Sequence, residues 1–538
     1  MVRVPESVIE TLAAARAAPP PARLPVRTSP WSWLAACTGC FLLYAMTASD
    51  GLQWQDSGLH ILRIVTGDLV NPLGLALSHP LHFWIGRVAI WPEALEPGVA
   101  ITLVSAAAAA VTVANVFGGV LTLTASRSAA WFAGLSLAVA ATFWQMATIA
   151  ESYTLSTAIL SAELWCLALF ARTRERHWLI ALALCNGLGI ANHMLGALTT
   201  PVVLGVWVYA RRTGAATRRD AWLACACWVA GTLPYSGLVA LEMWQGGDPA
   251  LVARSALVGG TFGGSVLNAT LSARMLLVDV VFPVYNFPNL LIPAACYGLW
   301  RWWRRAEAAV ATRALVAALA VHVLFAFRYD VVDQHTFFLP VYTILAIAGG
   351  LGAAAMLERP AAARATWAAA ALALLVATPG TYVLAASVSR EHGVLDRVAR
   401  NKPYRDDYTY LLIPWASADR SAGRMSREAL ALAGHSGLVV IEDRMAEYAV
   451  RYLALRDGAG TTLVSPLATT EIADAVGCGR VVVLVPANAD RPRLPPPAGW
   501  WQREGDLYRL VVPATGDTAL CAPFPPRTGK HGHTGDPA

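Results

Sequence analysis

Val99 to Thr122 reads VAITLVSAAAAAVTVANVFGGVLT, 24 residues without one charged side chain. As a helix, such a run is long enough to cross the roughly 30 Å of hydrocarbon in a bilayer. Comparable runs flank it at Trp31–Ala48, Ala129–Thr148, Leu155–Ala171, Trp222–Trp244, Met275–Trp300, Ala311–Ala326, Phe337–Met356 and Trp367–Val388. Trp178–Ala210 is too long for one ordinary span, so it is split at Asn192-His193 into two. The fold predicted is an α-helical polytopic membrane bundle of about 11 transmembrane helices. Composition agrees: 56% of the 538 residues are hydrophobic and 14% charged, against about 25% charged in soluble domains, and mean hydropathy is +0.49.

The net charge of +6 does not point to nucleic acid, because the arginines sit in short loops between apolar runs. Arg127, then Arg172, Arg174 and Arg176, then Arg211, Arg212, Arg218 and Arg219, then Arg301, Arg304 and Arg305, then Arg359 and Arg364 fall at alternate ends of the spans. The positive-inside rule makes that side cytoplasmic. Asp56, Glu151, His193, Asp248 and Asp333 then lie on the opposite, extracytoplasmic side. Cys37-x-x-Cys40 lies inside an apolar run with no second pair, which reads as membrane or core thiols rather than a metal motif. Cys478 and Cys521 are the only cysteines of the C-terminal part, and an oxidising compartment would let them pair.

Four regions follow. Residues 1–29 are a disordered cytoplasmic leader, 30–388 the membrane domain, 389–520 an extracytoplasmic α/β domain and 521–538 a disordered tail. In the third, Tyr410–Pro414, Leu438–Glu442, Thr462–Ser465, Val481–Val485 and Leu507–Val512 read as strands. Arg427–Ala433, Met445–Leu455 and Thr470–Val476 have helical periodicity.

The chemistry collects in the first outer loop, in Gln53-Trp54-Gln55-Asp56-Ser57-Gly58-Leu59-His60-Ile61-Leu62-Arg63. If that stretch is helical, Asp56, His60 and Arg63 share one face. An acid, a titratable base and a fixed cation beside lipid headgroups suit sugar-phosphate chemistry; an amphipathic interfacial helix would look the same. Ionisable groups at membrane edges are costly, which makes each a site by default. Asp56 is the expected general base. Glu151 is a second acid, a ligand, or a carboxylate at the start of the next helix. His79 and His82 either bind phosphate or mark a helix start with Pro80 in its first turn. His79, His82 and His193 with Asp56 and Glu151 offer donors for a divalent metal ion, though no spacing demands one.

Three stretches in order then resemble the GT-C membrane glycosyltransferases of the family that includes the vertebrate endoplasmic-reticulum O-mannosyltransferase acting on plexins. They are Asp56-Ser57-Gly58 with His79-Pro80, then Phe143-Trp144-Gln145 leading to Ile149-Ala150-Glu151-Ser152-Tyr153-Thr154-Leu155, then Gly187-Leu188-Gly189-Ile190-Ala191-Asn192-His193. Gly247-Asp248-Pro249 and Asp333 with Phe337-Phe338-Leu339-Pro340 are weaker echoes. Leu59 stands where the family usually has an acid, and His79-Pro80-Leu81-His82 where it has a His-Pro-Pro-Gly-like segment.

The resemblance implies a multi-pass enzyme of the bacterial inner membrane, with its site on the periplasmic side. It would move a sugar, mannose among those allowed, from a polyprenyl-phosphate donor to an extracytoplasmic protein or glycan, inverting the anomeric centre. Asp56 and Glu151 would be catalytic, and His60, Arg63, His79, His82, Tyr153, Asn192 and His193 would bind substrate. Two other classes stay open. A transporter or flippase would place its charges near the bilayer midplane between repeats, and no repeat is visible. A non-catalytic scaffold would display the α/β domain.

Overall fold

The computed structural model describes residues 30–513 except 261, 262, 267, 271, 306–308 and 398. The expected leader, the expected tail and Cys521 lie outside the described residues. The chain forms two compact units. One comprises residues up to Ala399 together with Asp407–Arg420; the other comprises Arg400–Asp406 and the chain from Ser421.

In the first unit, α1 (Pro30–Met46) leads into short helices α2 (Gln55–Thr66) and α3 (Pro80–Ile90). The charge-free run forms α4 (Pro97–Thr124), with Pro97 in its first turn and the Glu96 carboxylate accepting from the Val99 amide at 2.8 Å. That cap satisfies one of the amides a helix start leaves unpaired. There follow α5 (Arg127–Ala138), α6 (Ala141–Ala147), α7 (Tyr153–Thr173), α8 (His177–Asn192), α9 (Thr200–Arg212) and α10 (Arg218–Trp244). Next come α11 (Pro249–Val258), α12 (Ala273–Asn286), α13 (Leu291–Trp303), α14 (Ala309–Arg328), α15 (Leu339–Leu357), α16 (Ala361–Glu391) and α17 (Asp407–Leu412).

Among the described residues, the expected apolar segments appear as seven helices long and apolar enough to cross a membrane, two bent helix pairs, and the shorter α1 and α8. The run 129–148, expected as one span, breaks after Ala138 and bends by 70°. Asn286 explains how the break is tolerated: its Oδ1 accepts from the Thr142 amide at 2.7 Å, a donor no helix bond uses. The run 275–300 breaks between Asn286 and Leu291, at Pro288, and bends by 101°. The split at His193 is present, with His193 in an extended conformation between α8 and a 3₁₀ turn, Met194–Thr199.

The end of α8 carries Asn192 and His193, so its placement matters most for the site. It packs on α10 with almost no gap. A Cβ on Gly187 would fall 2.3 Å from the Trp228 carbonyl oxygen, and one on Gly231 2.7 Å from that of Leu184. Backbone-to-backbone approach of this kind favours association of helices in lipid.

In the second unit, a five-stranded sheet has the order β2-β1-β3-β5-β4, with β1 (Leu438–Ile441), β2 (Thr462–Val464), β3 (Val482–Val485), β4 (Trp500–Glu504) and β5 (Leu507–Val511). Strand β1 runs parallel to both β2 and β3, and β5 is antiparallel to β3 and β4. Helices α18 (Ser421–Ala433), α19 (Arg444–Arg456) and α20 (Thr469–Gly477) complete the α/β layers. Lys402, 7% exposed, pairs with Asp443 and donates to the Ala487 carbonyl, tying Arg400–Asp406 into this unit. Cys478 is disulfide-bonded.

Two readings of this region change. Tyr410–Pro414 is not a strand: Asp407–Leu412 is helical and packs in the first unit. Strand β4 went unread because it is an exposed edge whose residues Gln502, Arg503 and Glu504 give no apolar alternation.

The helix contact yields a test. Gly187→Val should lower stability by about 2–3 kcal/mol through overpacking, read as a lower thermal midpoint in detergent. Gly205→Ala, with nothing within 4 Å of the new methyl, should match the wild type or exceed it slightly.

Candidate active site

Glu151 lies in the turn between α6 and α7, and the surrounding sequence fixes that turn from three sides. Ser105 of α4 donates to its carbonyl and accepts from its amide, both at 3.0 Å. Gln53 accepts from the Ala150 amide at 2.8 Å and donates to Thr102 at 2.8 Å. The carboxyl itself, buried at 7% exposure, accepts from Ser57 Oγ at 2.9 Å and lies 3.7 Å from His60 Nε2. Burial, then the neighbouring Asp56 charge, raises its pKa well above the ordinary range, and Asp333 adds to the effect.

Asp56 begins α2, the helix expected from its spacing, and the shared face is present. Along that face the residues differ in access. Asp56 is exposed, whereas Ser57, His60 and Arg63 are buried. Asp56 nevertheless has enough protein around it to raise its pKa by desolvation. Leu59 is 4% exposed and packs inward.

Behind the carboxyls stand four imidazoles drawn from three segments. His60 lies 5.2 Å from His82 and 5.5 Å from His79 between ring centroids, and His79 stacks on His193 at 4.7 Å. Tyr153 adjoins His193 at 5.3 Å, with Phe337 beyond it at 5.5 Å. Asn192 ties the segments together: its carbonyl bonds His79 Nδ1 at 2.9 Å and its amide donates to the Ser152 carbonyl and Ser156 Oγ. Burial holds His79 neutral with a pKa of about 4, and His82 with one of about 3; His60 is pushed well below the ordinary range by burial and then by His82. His79 has φ 49°, ψ 56° and Gln55 φ 58°. Left-handed backbone at non-glycine residues costs about 1–3 kcal/mol and is concentrated at functional sites.

The structure thus gathers the carboxyls, the four histidines, Tyr153 and Asn192. Arg63 is oriented differently from a substrate ligand. Its guanidinium donates to the carbonyls of Asp68, Leu69 and Ser78 and is 4% exposed, bracing the loop between α2 and α3. His79 does precede Pro80 at the start of α3, so the helix-start reading holds for the backbone. Asp248, on the same side in the sequence reading, caps α11 by accepting from the amides of Ala250 and Leu251. Among the described residues no group of three or more His, Cys, Asp or Glu side chains converges on a point that would hold a metal ion.

Three neighbours of Glu151 were not picked out from the sequence as site residues, Gln53, Ser57 and Ser105, while Asp333 stood only among the weaker family echoes. The first two lie inside the quoted motif, but nothing in their spacing marks them. A cavity of about 50 Å³ opens beside Ser57, walled by Trp54, Gln145, Tyr410 and Trp415. The segment Asp407–Arg420 is held there by the Tyr285 hydroxyl on the Leu412 carbonyl at 2.6 Å and by the Ser417 amide on the Thr47 carbonyl at 3.0 Å.

Asp333 gives a pH test. Burial, then the Asp56 charge, raises its pKa to about 6 from an ordinary 3.8. Its folded value exceeds the unfolded one, so its contribution is fully present below pH 3.8 and is lost as pH rises through 6. Asp333→Asn should therefore match wild-type stability near pH 4 and exceed it by about 1–2 kcal/mol above pH 7, measured by thermal melts across that range.

Comparison with known proteins adds three findings. Residues 78–217 match the family model described as the protein O-mannosyl-transferase TMEM260 N-terminal domain; the match includes His79, His82, Glu151, Tyr153, Asn192 and His193. No curated protein matches the sequence. The fold is similar to that of ArnT from Cupriavidus metallidurans in two crystal structures. The one bound to undecaprenyl phosphate has a TM-score of 0.56 at 15% identity, covering 90% of this chain and 99% of that one. The apo form has a TM-score of 0.54 at 14% identity, covering 85% and 93%. The chain therefore shares the fold of these two structures, a helical membrane bundle, and its residues 78–217 resemble the N-terminal domain of an O-mannosyl-transferase family.

Proposed function

We propose that this protein transfers a sugar from a polyprenyl-phosphate donor to a hydroxyl on an extracytoplasmic protein or glycan, with inversion. One observation carries the reading: Asp56 is the exposed carboxyl of a cleft whose other acid, Glu151, is buried. Environments that differ in this way separate a base from an acid. Asp56 removes the acceptor proton as the acceptor oxygen attacks the anomeric carbon. The bond from that carbon to the phosphate oxygen breaks on the opposite face of the sugar, as an oxocarbenium-like transition state requires. Glu151, kept neutral, holds Ser57 and His60 in place without adding a second charge beside the base. Arg63 supports the site through the potential of its buried cation rather than as a ligand.

The donor class draws support from the ArnT crystal structure, which holds undecaprenyl phosphate. Mannose draws support from the matched family model. The site and the α/β unit belong on the periplasmic side of a bacterial inner membrane in this reading. The arginine clusters at the other ends of the spans support that orientation, and a disulfide at Cys478 suits an oxidising compartment.

The test is transfer from a panel of undecaprenyl-phosphate sugars in membranes, with Asp56→Asn beside the wild type at equal expression. Loss of 100-fold or more in the variant is expected of a general base. Unchanged activity would move that role elsewhere, and a wild type inert with every donor would end the transferase reading.

A further inference from the structure

The sequence leaves an amphipathic interfacial role open for the stretch that forms α2, and the structure moves that role to α3. Ser57, His60 and Arg63 of α2 are buried. Helix α3 instead presents a bare apolar stripe. Trp84 is 53% exposed, Val88 66% and Trp91 79%, at i, i+4 and i+7, which is one face of a helix. Phe83 and Gly86 turn the other way and are buried, and a Cβ on Gly86 would lie 2.7 Å from Ile64 Cδ1 of α2. Arg87 is the only permanently charged side chain of α3. Its Nη1 donates to the carbonyls of Ile64 and Val65, in the last turn of α2, where a cation is favoured.

The depth of α3 follows from its neighbours. It packs against α2, α4, α8 and α10, and both α4 and α10 are long and apolar enough to cross a membrane. Exposed tryptophans stand near the two ends of α10, Trp222 at 76% and Trp244 at 89%. The helix rises about 33 Å between them, close to the roughly 30 Å of bilayer hydrocarbon, and tryptophan gathers at both boundaries of a membrane. Leu81, in the first turn of α3, packs on the apolar cluster that includes Tyr235 and Leu238 of α10. Those two residues precede Trp244 by about 9–14 Å of helix rise, so α3 starts on the hydrocarbon side of that boundary. Its other end is tied as closely, because the link from Trp91 to Pro97 at the start of α4 spans at most about 20 Å. At about 16 Å in length α3 cannot itself cross.

We propose that the Trp84, Val88 and Trp91 stripe of α3 is seated in the lipid leaflet on the side of the candidate site, with the helix lying along the boundary. The occupant of this face is phospholipid. Val88 meets the upper acyl region, and the two indoles sit where headgroups and acyl chains join. Exposed Leu233, Leu241 and Trp244 of α10 face the same lipid, so the stripe continues a surface that the bilayer already covers. His79 immediately precedes α3 and His82 lies in its first turn. Seating the stripe therefore sets the depth of the histidine cluster relative to the leaflet.

Two measurements on the wild-type, full-length chain in vesicles of dioleoyl phosphatidylcholine test this. Trp84 and Trp500, on edge strand β4, are each 53% exposed, so hydroxyl radicals made in the water oxidise them alike if α3 faces water. Seated in lipid, Trp84 should be oxidised about tenfold less than Trp500. Equal oxidation overturns the proposal. Protection is then assigned with a phosphatidylcholine that carries a diazirine in its acyl chain. Illumination expels nitrogen and the carbene inserts into the nearest bond, so the peptide that gains the lipid's mass marks the contact. Label on residues 84–91 that survives an excess of undecaprenyl phosphate is the expected result. Protection without label makes the cover a protein surface such as a second copy of the chain, and label displaced by undecaprenyl phosphate makes it a prenyl chain. Either overturns the proposal. Sugar transfer is decided separately, by the donor panel.

Discussion

A carboxyl that must stay buried governs the candidate site of this protein. Glu151 cannot ionise freely in its surroundings, so its stability depends on Ser57, His60 and the two-way bond of its backbone to Ser105. Each partner comes from a different part of the chain. Ser57 and His60 require α2 to lie against the turn of Glu151, and Ser105 requires α4 to begin where Glu96 caps it. The turn of Glu151 in turn requires the bundle to bend before α7. Satisfying one acid therefore positions the start of α2, and with it the exposed Asp56.

Local physics made much of this legible. The apolar runs are long and uninterrupted, and the arginines mark one end of each. The period of Asp56, His60 and Arg63 is enough to place a helix there. Access was a different matter. Periodicity puts those three residues on one face but says nothing of what covers that face, and the covering groups come from residues 79–82, 151 and 193. For that reason Arg63 read as a ligand for substrate, while its donors meet the carbonyls of Asp68, Leu69 and Ser78. The bends escaped notice for a similar reason. A helix break inside an apolar run is tolerated only if something distant satisfies the freed amides, and Asn286 bonding Thr142 is 144 residues away in sequence.

The histidines sit on a well-packed base. Leu59 is buried, and His60 comes next in the chain beside Glu151. His82 adds another ring to the same cluster. The cluster is thereby held by stacking, by the His79 Nδ1–H donated to the Asn192 carbonyl and by the Leu195 amide donated to His193 Nδ1. Neutral rings of this kind suit a site that must not accumulate charge beside lipid.

The path of the backbone through residues 399–421 has a bearing on how this architecture arose. The chain enters the α/β unit at Arg400, returns to the bundle for Asp407–Arg420, and enters the α/β unit again at Ser421. A domain added at a terminus is joined once and can be gained, lost or exchanged as a block. This one is joined three times, and the returning segment supplies Tyr410 and Trp415 to the cavity beside Ser57. Exchange of the α/β domain as a block would have to cut it out on both sides of Asp407–Arg420, a segment that belongs to the bundle.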